Sequence, residues 1–148
     1  MISFLLCHLF IQAFMGAPNI PQPLLSSRVQ ARADTVYLNL TRELPDIPWD
    51  TVKQGVLIVQ HFCIKNPYNS PIMLQKIQGA DGGFLVHSKK DNVLIQPQQS
   101  FYFSITYRTV GRSGPHSRLF RIKFLSFARD KPVEKMRSFR FFGYVSTS

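Results

Sequence analysis

Two residue types in this chain could carry chemistry, histidine and cysteine, and outside the opening apolar run they meet at His61-x-Cys63. Two residues apart on an extended strand, these side chains point the same way, which is half of a zinc site. A zinc site needs three or four such ligands. No second Cys/His pair follows: His8 lies in the opening apolar run, His87 near a strand, and His116 in a turn beside Pro115. The expectation is therefore no metal, no cofactor and no catalytic residue. The hydrolase patterns Gly-x-Ser-x-Gly and His-Glu-x-x-His do not occur. The eight acidic residues fall mostly in loops, a poor basis for a carboxylate pair. Gly79 to Gly83 has no helix after it to aim amides at a phosphate and reads as a flexible turn. Asn39-Leu40-Thr41 matches a glycosylation acceptor but sits in a strand-like run.

Charge is the other chemical signal. The 148 residues carry a formal charge of +10, with 18 Lys and Arg against 8 Asp and Glu. The cations crowd the C-terminal half from Arg108 onward, which points to anionic partners. Arg121 and Lys123 alternate with Phe120, Ile122 and Phe124, so both face away from an apolar side. Arg118, Arg121, Lys123, Arg137 and Arg140 form the expected binding surface, with Arg137 joining the row if the last two strands pair. No nucleic-acid motif accompanies them. A protein partner or another anionic surface is the expected ligand, and no small-molecule substrate is indicated.

These cations need a scaffold, and the chain reads as strands. Composition is 45% hydrophobic, with thirteen Phe. Residues 1–17 are apolar and uncharged, and read as an export signal or as a retained segment that packs on a partner. Residues 18–33, rich in Pro, Ser and Gln, read as a linker or extended arm. From residue 34 to 148, runs with a two-residue period alternate with turn chemistry. Strands are expected over Thr35–Leu40, Gly55–Lys65, Ile72–Ile77, Phe84–Val86, Val93–Ile95, Ser100–Arg108, Leu119–Leu125 and Phe139–Val145. Phe84–Val86 and Val93–Ile95 flank a Lys89–Asn92 turn, and Glu43–Asp50, with Pro45 and Pro48, reads as a crossing loop. Seven or eight strands without a helix predict an antiparallel, immunoglobulin-like β-sandwich. Asn66, Pro71, Pro97, Gly111, Gly114 and Gly143 are its expected turn and framework residues, with Asn66 holding the turn that follows it. Cys63 is expected to be a buried free thiol.

Several of these pieces also fall in a known order. Phe62-x-Ile64-x-Asn66, Pro71-Ile72-Met73-Leu74, Leu94-Ile95-x-Pro97, Gly111 to Gly114 and Phe142-Gly143-Tyr144-Val145 resemble the DUF1573 family of exported Bacteroidetes proteins. That family is similar in pattern to the ASH/MSP group of sandwiches. The resemblance spans about Val52 to Val145. It implies an immunoglobulin-like fold, a periplasmic or outer-membrane-associated location, and a non-enzymatic subunit or accessory of an envelope assembly. Where many members carry Cys-Gly-Cys, this chain has Gln78 to Gly83, so nothing thiol-based is implied.

Overall fold

The computed structural model describes residues 29–32, 34–88 and 91–147. The expectations for residues 1–17, and for the arm up to residue 28, lie outside them.

Among the described residues ten strands form two five-stranded sheets packed face to face. We number them β1 (Val29–Ala31), β2 (Val36–Asn39), β3 (Ile47–Lys53), β4 (Leu57–Lys65), β5 (Ile72–Gln78), β6 (Phe84–His87), β7 (Val93–Ile95), β8 (Ser100–Arg108), β9 (Gly114–Ser126) and β10 (Val133–Ser146). The first sheet runs β1-β4-β8-β6, with β2 also on β4, and the second runs β3-β10-β9-β5-β7. The all-β sandwich read from the sequence is present, with ten strands rather than seven or eight. Its sheets are mixed: β1 and β2 pair parallel with β4, and β3 pairs parallel with β10.

The two-residue period decides what is buried. Ile58, Phe62 and Ile64 of β4 and Phe103, Ile105 and Tyr107 of β8 point inward from the first sheet. Phe120, Ile122 and Phe124 of β9 and Phe139, Phe141 and Val145 of β10 meet them from the second. The rings interlock across the gap: Phe62 lies 5.3 Å from Phe139, and Phe84 lies 6.0 Å from Phe120. Gln60 shares the inward phase of β4 and is also buried. It sits where the chain passes from β1 to β2, and its amide donates to the Asp34 carbonyl at 2.6 Å.

Several elements differ from the sequence reading, and β9 and β10 begin five and six residues earlier than expected. Ile47–Lys53 is a strand, although Pro48 argued for a loop. It is an edge strand paired only with β10, so a missing amide on its free side costs no ladder bond. Phe84–His87 and Val93–Ile95 do not pair with each other, because β6 joins β8 in one sheet and β7 joins β5 in the other. The intervening chain is thus a crossover between sheets. Val29–Ala31, read as the end of an arm, is the first strand of the domain.

Gly143 is not a turn residue. It lies within β10, where Trp49 and Asp50 of β3 oppose it alone, a bulge in which Asp50 takes a φ of 68°. The indole of Trp49 lies directly on Gly143, and any Cβ there would overlap it. Trp49 is 2% exposed and packs against Tyr107 at 5.2 Å and Phe141 at 4.9 Å.

Asn66 is fully buried after β4. Its amide donates to the carbonyls of Ser70 and Ile95, both at 2.9 Å, and its side-chain oxygen accepts from the Tyr68 amide at 2.9 Å. It thereby ties a turn of one sheet to β7 of the other. Pro71 closes that turn, its carbonyl accepting from Phe127 N–H at 3.3 Å. Pro97 begins the turn closed by Gln99 N–H on Gln96 at 3.0 Å. Gly111 and Gly114 take the positive φ values, 67° and 86°, that bring β8 into β9.

Two predictions follow from this core. Gly143→Ala displaces the Trp49 indole and lowers unfolding free energy by about 3 kcal/mol, measured by urea denaturation. The Tyr107 hydroxyl is buried without a partner among the described residues, and that burial raises its pKa against the opposing pull of Arg112. Removing an unpaired buried hydroxyl is nearly neutral or stabilising, so Tyr107→Phe leaves stability at pH 7 unchanged or higher. Because the folded pKa is the higher one, stability falls as pH rises past the unfolded tyrosine value of about 10. Tyr107→Phe removes that part of the alkaline loss, measured as unfolding free energy against pH.

Candidate interaction surface

The β9–β10 register decides which cations can meet a partner. Arg121 stands opposite Ser138, Lys123 opposite Met136, and Leu119 opposite Arg140, all on the outward side of the second sheet. Gln78 and Lys76 of β5 flank Arg121 and Lys123 on the other side. With about 3.3 Å per residue, the thirteen residues of β9 make this face about 40 Å long.

Arg121, Lys123 and Arg140 therefore share one surface. Lys123 pairs with Glu134 at 2.9 Å, and Arg140 approaches Asp46 at 3.9 Å. Both pairs are half-exposed, and contacts of this kind contribute about 0–1 kcal/mol. Arg121 is exposed and makes no ion pair among the described residues.

Arg118 and Arg137 are not part of this surface. The strands do pair, but Arg137 falls opposite Ile122, on the inward side. At that end of the sandwich its Nε donates to the Leu40 carbonyl at 3.0 Å, which the Tyr68 hydroxyl also reaches at 3.3 Å. Lys135 lies over the Tyr68 ring at 4.9 Å. Arg118 has the inward phase too: its Nε donates to the Gly79 carbonyl at 2.9 Å, and its guanidinium pairs with Asp81. Both arginines fasten the sandwich's ends.

The sequence reading missed the apolar half of the surface. Leu94, Leu119, Met136, Phe142 and Tyr144 are all exposed on the outward side of the same sheet. The signal was legible in β10, where Met136, Ser138, Arg140, Phe142 and Tyr144 occupy alternate positions. The surface combines cations with large apolar side chains.

Among the described histidines, His61 and His87 flank Ser104 on the first sheet and His116 lies apart, after the turn that opens β9. His61 and Cys63 do share the outward side of β4, and Cys63 is a buried free thiol. His87 contacts the Thr106 hydroxyl at 3.0 Å, and His116 contacts the Ser113 carbonyl at 3.2 Å. Among the described residues no three His, Cys, Asp or Glu side chains cluster to hold a metal.

Solved structures share this architecture. An ASH/PapD-like domain of human CEP192 superposes with a TM-score of 0.51 at 10% identity, covering 70% of this chain and 83% of its own. The fold is ASH/PapD-like. SSP-19 of Caenorhabditis elegans, an MSP-domain-like protein, gives 0.48 at 11% identity over 67% of this chain and 94% of its own. The E. coli chaperone DraB gives 0.37 at 17% identity over 77% and 57%. No family model matches the chain and no curated protein matches its sequence. The likeness to DUF1573 thus rests on the motifs alone.

The division of the arginines is measurable. Arg118→Leu and Arg137→Leu each lower unfolding free energy by about 1–2 kcal/mol, since each removes a charged donor from a backbone carbonyl, Gly79 for the first and Leu40 for the second. Arg121→Ser changes it by no more than about 0.5 kcal/mol, as expected for a surface position. Equal losses at all three positions would contradict this assignment.

Proposed function

We propose that the chain is a non-enzymatic protein-interaction module, whose partner presents acidic and apolar groups to the outward side of β9 and β10. One observation carries this reading: Arg121, without an acidic partner among the described residues, lies on a face that also exposes Leu119, Met136, Phe142 and Tyr144. A cation unpaired at such a site is available to a partner's carboxylate, and the surrounding apolar area gains by leaving water. The setting we propose, an exported subunit or accessory of a bacterial envelope assembly, is supported by the DUF1573 resemblance and by the apolar, uncharged run of residues 1–17. The ASH/PapD-like architecture is compatible with an interaction role and supports the fold alone.

A second reading, a polyanion-binding domain, is favoured by the net charge of +10. Salt separates the two, because counterion release makes polyanion affinity fall steeply with ionic strength. The test is recovery of complexes from native envelopes at low and high salt, with the wild-type chain and with Arg121→Glu/Arg140→Glu. The proposal expects a defined protein that survives high salt with the wild type and is lost with the double variant. Recovery of polyanion alone, all of it eluting at high salt, would replace the first reading with the second. A partner retained equally by both chains would place the contact on another face.

A further inference from the structure

The opposite side of the sandwich has a different chemistry. On the first sheet the outward positions of β4 between Leu57 and Lys65 are Val59, His61 and Cys63. Their partners on β8 are Thr106, Ser104 and Tyr102, and β6 adds Leu85 and His87. From Arg108 at one end to Lys65 at the other, none of these positions carries Asp, Glu, Lys or Arg. In a chain with 26 such residues among 148, this neutral band stands apart.

Across the strands the band is built in rows. One row is Tyr37–Cys63–Tyr102, from β2 through β4 to β8. Cys63 faces outward yet is 1% exposed, covered by its two neighbours, while Tyr37 and Tyr102 are 73% and 62% exposed. The thiol also holds the Tyr102 hydroxyl above its ordinary pKa. The next row is His61–Ser104–His87. A serine between two imidazoles and beside a tyrosine leaves a dip, and a shallow depression of about 550 Å³ lies there, lined by His61, His87, Tyr102 and Ser104 with Thr35 and Ser88 at its edge and Phe62 and Phe103 among its apolar lining. It forms a short trough across the strands, with a phenol ring at one wall and hydroxyls and imidazoles around it.

Recognition on the face of a sheet must use side chains, because the backbone amides and carbonyls are already committed to the ladders. The side chains present exclude several ligands. An anion finds no cation among the band's outward positions, and a cation finds no carboxylate. A fully apolar ligand would strand the hydroxyls and imidazoles lining the trough. What fits flat rings with short-range, uncharged donors and acceptors is a molecule with an apolar C–H face and a rim of hydroxyl groups. We propose that this trough binds an uncharged carbohydrate, its ring against Tyr102 and its hydroxyls hydrogen-bonded by His61, His87 and Ser104. Tyr37, two strand spacings or about 10 Å from Tyr102, provides a second platform for a longer chain of sugars.

The test is calorimetric titration of the full chain with three neutral probes, cellohexaose, chitohexaose and maltohexaose, at low and high salt. At least one binds saturably, and salt does not change its affinity, since no charge pairs with the ligand. Ser104→Phe fills the trough, and Tyr102→Ala removes its aromatic wall. Each weakens binding about tenfold or more, while Arg121→Glu on the opposite face changes nothing. Tyr102→Ala also uncovers Cys63, so Ser104→Phe carries the test if the former misfolds. Failure of all three probes to bind would overturn the proposal. Binding untouched by Ser104→Phe, or abolished by salt, would do the same. Self-association of the chain that Ser104→Phe breaks would assign the band to a second copy instead. None of these outcomes depends on the basic surface, so the two readings stand or fall separately.

Discussion

The pairing of β9 with β10 is the constraint on which the remaining architecture depends. Thirteen consecutive pairs, from Val133–Ser126 to Val145–Gly114, run without interruption. Because side chains alternate with a period of two, a slip of one residue would turn the inward set of one strand to water, Phe139 and Phe141 if β10 moved or Phe120, Ile122 and Phe124 if β9 did, and bury that strand's outward cation, Arg140 or Arg121. Trp49 pins the alignment from the third strand, since a Gly143 without a side chain is what admits the indole. Neither Phe142 nor Tyr144, its neighbours along β10, could take that place. That close approach fixes β3 against β10, while the thirteen β9–β10 pairs place the hairpin's charges.

From that alignment comes a division of labour among like residues. Arg118 and Arg137 have the inward phase and spend their donors on backbone carbonyls at the sandwich ends, whereas Arg121 and Arg140 have the outward phase and keep theirs for the surface. The same parity on the first sheet leaves tyrosines, histidines and a serine outside and charges only at the margins. One sandwich therefore presents two unlike faces, one cationic with large apolar side chains and the other neutral with hydroxyls and rings. Neither uses a loop cluster, and both derive their geometry from paired strands.

Much of this was legible in the sequence wherever a strand is central and one-sided. The alternation in β4, β8 and β9 is strong, and those strands appear close to where the period placed them. Asn66 could be read as a turn holder because its flanking prolines leave little else for a polar amide to do, but its second bond, to Ile95, depends on folding. What could not be read was pairing. Pro48 looked like a strand breaker until β3 proved to be an edge, and β6 and β7 looked like neighbours until each joined a different sheet. Arg137 illustrates the same limit, since its phase relative to Arg121 is set by the register and not by spacing within either strand. The trough at Ser104 is still less visible, because the three residues that form its row come from three strands separated by long stretches of chain. Fold was therefore readable from local pattern, while the surfaces needed the long-range register.

A thiol-reactivity scan tests the central claim most directly. Single cysteines would be placed at successive positions from Met136 to Val145 in a chain with Cys7 and Cys63 replaced by serine, and their rates of alkylation measured in the folded state. The β9–β10 alignment predicts fast reaction at 136, 138, 140, 142 and 144, and protection at 139, 141 and 145. Alternation in the opposite phase, or a smooth gradient without alternation, would contradict it and with it the separation of binding from structural arginines.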